Sequence, residues 1–210
     1  AMRRQPLTMK VLVPHAVTAS RLLFAAAFVF AFDDGETPSL LAAAALIALA
    51  ALSDFADGAL ARRWNTVSTL GKWADPLFDA LFFLAVYVSF TRAGLMPPAL
   101  LAAFVARETI QYAVVRPAGA RLRIDPGARP AGKIKTALQV AGSVAVVALR
   151  LAVATEGLSA DIAGVASRAI LTVLVAVSVA SLYWYVVPLI RLSPDRRLIA
   201  GIVGAAACHL

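Results

Sequence analysis

Cysteine occurs once in the chain, at Cys208, so an intrachain disulfide and a thiolate metal cluster are both excluded and redox chemistry has no support. Apolar stretches that alternate with polar residues over about ten positions are missing too, which excludes a transmembrane β-barrel. The N-terminus has basic residues but no small-residue cleavage site closing a short apolar region, so no removable signal peptide is expected. There is no internal repeat, no low-complexity linker and no composition shift that would mark a second domain, and residues 1–210 read as one unit.

Apolar sequence is abundant instead. Hydrophobic residues make up 61% of the 210, and mean hydropathy is +0.81, well above the roughly 45–50% apolar content of an average soluble domain. A helix needs about 20 mostly apolar residues to cross a bilayer core. Six such stretches can be drawn, at about 15–32, 38–61, 71–91, 95–115, 134–154 and 163–190. The expected fold is an all-α integral membrane protein, a six-helix bundle occupying residues 15–190. Residues 1–14 read as a basic interfacial helix or a basic tail ending at Pro14, and 191–210 as a cytoplasmic tail.

The net charge of +8 points to topology rather than nucleic acid, because the basic residues alternate between loops. Arg3, Arg4 and Lys10 precede the first stretch, whereas the next connection carries Asp33, Asp34 and Glu36. Arg62, Arg63 and Lys72 follow the second, and Arg116, Arg121, Arg123, Arg129, Lys133 and Lys135 follow the fourth. The pattern predicts both termini in the cytoplasm of a cell whose plasma membrane, by expectation bacterial, holds the protein. Arg21, Arg107, Arg150 and Arg168 fall inside predicted spans, away from the basic inner ends. Arg150 and Arg168 lie close enough to the outer ends to snorkel, and Tyr183, Trp184 and Tyr185 read as an interfacial aromatic belt.

Four aspartates break the apolar pattern. An ionised carboxylate in hydrocarbon is costly unless compensated, which makes such residues functional candidates by default. Asp54 and Asp57 are three apart and share a face near the inner end of the second stretch; Asp75 and Asp79 are four apart and share a face of the third. A short inner loop makes the two helices antiparallel neighbours, so the carboxylates converge near the cytoplasmic surface. An oxygen-only donor set, with no histidine or thiol at hand, favours Mg²⁺ or Mn²⁺ over zinc or copper. Such a site leaves positions for substrate phosphates, and a pyrophosphate is the natural ligand. Gly58 and Gly71 permit close backbone approach, and the Arg62 guanidinium suits a phosphate.

The segment Asp54-Phe55-Ala56-Asp57-Gly58-Ala59-Leu60-Ala61-Arg62, followed by Gly71, Asp75 and Asp79, resembles the CDP-alcohol phosphotransferase signature D-x2-D-G-x2-A-R-x8-G-x3-D-x3-D at all fixed positions. Chance agreement at a given start is below roughly one in a billion at average residue frequencies. The resemblance implies transfer of a substituted phosphoryl group from a CDP-linked lipid, commonly CDP-diacylglycerol, to an alcohol with release of CMP. It further implies that Asp54, Asp57 and Asp75 hold a two-metal centre, with Asp79 near the metals and acting as general base. Asp57, Gly58, Ala61, Arg62 and Gly71 fall at positions of the family's cytidine nucleotide pocket. Ser68 stands where relatives often carry threonine. Pro14 to Arg21 resembles the P-N-x-x-T-x-x-R entry to the first span, which adds Thr18 to the nucleotide set and puts His15 where asparagine is usual.

For the acceptor, Gly132-Lys133-Ile134-Lys135-Thr136 and Arg107-Glu108 resemble stretches of phosphatidylglycerophosphate synthases. The resemblance implies that Lys133 and Lys135, with Arg107, bind the phosphate of glycerol 3-phosphate. Ala80 departs from the lysine often found after the last aspartate, and inositol phosphate, phosphatidylglycerol and serine stand as alternative acceptors. An intramembrane prenyltransferase and a divalent-cation transporter are the readings from other classes. The first does not require Gly58, Ala61 and Arg62; the second is expected to place its carboxylates nearer the midplane. Homodimerisation is implied by the resemblance alone.

Overall fold

The structure is a computed structural model and describes residues 9–63, 69–122 and 130–192, with side-chain surroundings given for 20–56, 75–122 and 132–191. The described residues are helical, with short turns and no strand. The helices are α1 (Met9–Ala31), α2 (Thr37–Arg63), α3 (Thr69–Arg92), α4 (Pro98–Thr109), a π-helical segment Ile110–Val115, α5 (Arg116–Arg121), α6 (Pro130–Ala154), α7 (Ala160–Ser181) and α8 (Tyr183–Leu192). Three apolar runs are long enough to cross a membrane: Thr37–Ala56, Gly132–Ala154 and Ala160–Arg191. The described apolar part of α1, Ser20–Ala31, is shorter.

Helix ends follow local chemistry. Ser159 caps α7 by accepting from the Ile162 N–H, and Asp161 in the first turn complements the helix dipole. Pro98 opens α4 at a position that needs no intrahelical N–H. Gly94 has φ 74° in the turn before it, a conformation that carries little penalty without a Cβ. Two boundaries differ from the sequence expectation. Helix α1 begins at Met9 and runs through Pro14, its sixth residue, rather than starting after it. The fourth stretch changes at Ile110 into a π turn ahead of Pro117; widening the helix there accommodates a ring that has no N–H and crowds the preceding turn.

Helix α1 packs against both α2 and α3, α6 lies against α2 and α7, and α4 lies against α7. Aromatic side chains fill the junction of α1 and α3. Phe28 meets Phe82 and Phe90 edge-on at 6.4 and 6.2 Å, and Tyr87 meets Phe104 of α4 at 4.9 Å. The α6–α7 approach is close: a Cβ on Gly142 would stand 2.6 Å from Leu174 Cδ1. Helix α7 turns a mixed face of serines and apolar residues inward and exposes further apolar residues outward. Ser167, Ser178 and Ser181 are buried with Leu171 and Leu174, while Ile162, Val165 and Val173 are exposed. Small inward residues and exposed apolar ones, together with three spanning-length runs, fit a protein whose outer solvent is lipid.

Candidate active site

Two of the four aspartates converge on a cation from a third helix. Arg21 of α1 is 1% exposed, and its NH2 donates to Asp54 Oδ1 of α2 at 3.0 Å while its NH1 donates to Asp79 Oδ1 of α3. The same guanidinium donates from Nε to Ser53 Oγ at 3.2 Å and from NH1 to the Asp75 carbonyl at 3.5 Å. The two carboxylates therefore meet through α1: the sequence expectation made α2 and α3 direct neighbours, whereas the guanidinium of α1 joins one carboxylate from each. The charges are arranged in layers: Asp54 is 49% exposed and Asp79 23%. The cation is sealed beneath and the carboxylates remain reachable from outside.

Asp75 lies partly buried four residues before Asp79, with its backbone carbonyl toward Arg21. Asp57, Gly58, Ala61 and Arg62 continue α2, Gly71 lies near the start of α3 and Thr18 lies in α1, but their side-chain surroundings fall outside the described residues. Ser68 falls outside them altogether. The described donors are all oxygen, come from two helices and already surround a positive group. Among the described residues no three carboxylate, histidine or thiol groups lie close enough together to hold a metal ion; the two that meet here are oxygen donors, the type a hard divalent cation takes.

A second charged cluster links α4, α6 and α7. Lys135 Nζ donates to Glu108 Oε1 at 2.9 Å, and Arg107 NH1 pairs with Glu108 Oε2 at 2.8 Å. Arg107 also donates from Nε to the Ser178 carbonyl at 3.0 Å and from NH2 to Ser181 Oγ at 2.9 Å. It is 4% exposed, so its fork is engaged with protein groups. Helix α3, which carries Asp79, touches both α4 and α6, the helices that carry this cluster. Lys133, two residues earlier, is exposed. Gln111 is buried one turn beyond Glu108, with an Oε1 that has no hydrogen-bond partner.

Motif reading named Arg21 and Glu108 without giving either a role, and gave none at the site to Ser53 or Tyr185. The Tyr185 hydroxyl stands over Gly132, where a Cβ would collide with it, and so docks α8 against the start of α6. Arg21 had a usable signal: an arginine deep in an apolar stretch requires a counter-charge. Glu108 had the same signal, an acidic residue in an apolar stretch beside Arg107; Ser53 and Tyr185 had none, because their partners are remote in sequence.

Comparison with known proteins gives an independent view. Residues 11–192 match the CDP-alcohol phosphatidyltransferase family. The chain is 40% identical over 70 residues to the cardiolipin synthase (CMP-forming) of Streptomyces coelicolor, covering 33% of each protein. It is 33% identical over 106 residues to the CDP-diacylglycerol--glycerol-3-phosphate 3-phosphatidyltransferase of Mycoplasma genitalium, covering 50% of this chain and 44% of that one. Similarity to the Rickettsia felis protein of the same name is 27% over 128 residues, covering 61% and 70%. The matched region thus spans about a third of the Streptomyces relative and less than half of the Mycoplasma one.

Proposed function

The chain belongs to the CDP-alcohol phosphatidyltransferase family, and from that premise we propose that it transfers a phosphatidyl group from CDP-diacylglycerol to glycerol 3-phosphate, releasing CMP and forming phosphatidylglycerol phosphate. The observation that carries the reading is the meeting of Asp54 and Asp79 from two helices at one depth, beside a Lys135–Glu108–Arg107 cluster. The proposal includes a six-span topology with the site at the cytoplasmic face, for which the support is the alternation of basic loops in the sequence. Homodimerisation remains part of the proposal.

Asp54, Asp57, Asp75 and Asp79 would hold one or two Mg²⁺ or Mn²⁺ ions. When bound, such ions neutralise a pyrophosphate and stabilise departing CMP. Asp57, Gly58, Ala61, Arg62, Ser68, Gly71 and Thr18 would line the nucleotide pocket. Asp79 takes the proton of the acceptor hydroxyl, a role open to a carboxylate that is reachable from outside yet held by Arg21. Lys135 meets the acceptor phosphate with Lys133 nearby. Arg107, engaged by Ser178 and Ser181, acts through Glu108, which it holds in place to orient Lys135.

A second reading keeps the chemistry and takes phosphatidylglycerol as acceptor, supported by the similarity to the Streptomyces cardiolipin synthase. The test is CMP release from purified protein with CDP-diacylglycerol, Mg²⁺ and one acceptor at a time. Stimulation by glycerol 3-phosphate, abolished in Asp79→Asn, is the expected result. Stimulation by phosphatidylglycerol alone would transfer the assignment to the second reading. Silence with every acceptor, in folded protein, would refute both.

A further inference from the structure

We infer that Arg21 is an internal cation that stands in for divalent metal: it holds Asp54 and Asp79 together in the metal-free protein and competes with metal for the same carboxylate oxygens. The inference rests on the metal reading above and concerns a residue to which that reading gives no role. One guanidinium from α1 bonds a carboxylate of α2 and a carboxylate of α3. Without it, two acidic groups inside an apolar bundle would face each other uncompensated, and α1 would lose the ion pairs that tie it to both α2 and α3. Ser53 Oγ and the Asp75 carbonyl take further donors of the same group, fixing its plane. At 1% exposure it is walled in by the three helices, whereas the carboxylates it holds are 49% and 23% exposed. A metal ion therefore arrives from the open side, opposite Arg21.

Two consequences distinguish this role from ordinary packing. Metal-free protein needs Arg21 for its stability, and metal-loaded protein needs it less, because the ions supply the missing charge. Metal also binds more tightly once the competitor is gone. A residue that merely packed the interface, or only preorganised the site, would weaken metal binding on removal. The structure assigns the opposite sign, since Oδ1 atoms engaged by the guanidinium have to be shared with or surrendered to the incoming ion.

The experiment measures thermal unfolding of the full chain in detergent, first with EDTA and then across a Mn²⁺ titration, for wild type, Arg21→Gln and Arg21→Lys. Expected for Arg21→Gln are a lower melting temperature in EDTA, a larger stabilisation by Mn²⁺, and a half-saturating Mn²⁺ concentration lowered about fivefold or more. Arg21→Lys, which keeps the charge and loses the fork, should lie between. Equal melting temperatures in EDTA, or a half-saturating concentration unchanged or raised in Arg21→Gln, would overturn the inference while leaving the metal reading intact. Absence of any Mn²⁺ effect on wild type would overturn both. If Arg21→Gln does not fold alone, adding Asp79→Asn should restore folding by removing an uncompensated carboxylate; failure of that double variant to improve on the single one counts against the inference.

Discussion

Lys135 has to satisfy two requirements: a stable ion pair inside the protein and, in the proposed reaction, a contact with an acceptor phosphate. Glu108 Oε1 at 2.9 Å meets the first and leaves the other ammonium hydrogens for the second. A charge-assisted hydrogen bond contributes about 1.5–3 kcal/mol, so Lys135→Ala should raise the apparent KM for glycerol 3-phosphate by roughly tenfold to a hundredfold. The KM for CDP-diacylglycerol should not change. Initial-rate kinetics with each substrate varied in turn separates these, and an unchanged acceptor KM would return Lys135 to a purely topological role. At this scale the aspartates were legible in sequence because a carboxylate stands out against apolar neighbours. The partners were not. Arg21 is 33 positions from Asp54 and 58 from Asp79, and Arg107 reaches Ser178 and Ser181 across more than 70; no local pattern encodes such pairings.

Helices were legible for a different reason, since continuous apolar runs of about 20 residues have few alternatives in lipid. The six drawn stretches coincide with helical segments, whereas their internal irregularities do not follow from hydropathy. The π turn at Ile110–Val115 and the break at Leu182 between α7 and α8 arise from proline geometry and tertiary packing. Gly142 is another feature set by neighbours rather than pattern. Its lack of a side chain lets α6 approach Leu174 of α7, and a Cβ would intrude to 2.6 Å. Gly142→Val should therefore destabilise the protein by about 1–3 kcal/mol through overpacking, outweighing the gain in helix propensity on leaving glycine. Adding Leu174→Ala should recover part of the loss by giving the valine room. Thermal unfolding of the two single variants and the double variant reads the coupling, and additive effects would mean that the helices simply slide apart.

The charge rule read from the sequence predicts one orientation in the membrane, which is part of the proposal. The aspartate cluster lies at the end of the bundle carrying Lys133, and Arg150 pairs at 3.0 Å with Asp34 beyond the other end of α1. About 15 Å of helix separates Arg21 from Ala31, at 1.5 Å per residue, so the Arg21 and Arg150 ion pairs occupy opposite ends. Arg150 is held by a partner rather than only snorkelling. Fifteen of the twenty basic residues lie in segments that the charge rule puts inside, and the water-soluble acceptor proposed for the site would be drawn from that compartment. Impermeant-thiol labelling tests the arrangement, because Cys208→Ala removes the natural thiol. In that background Lys133→Cys should label in inside-out vesicles but not in intact cells. Asp161→Cys, exposed in the first turn of α7, should label in intact cells. Labelling of both from one side would refute the alternation of loops and move the α6–α7 turn to the face of the active site.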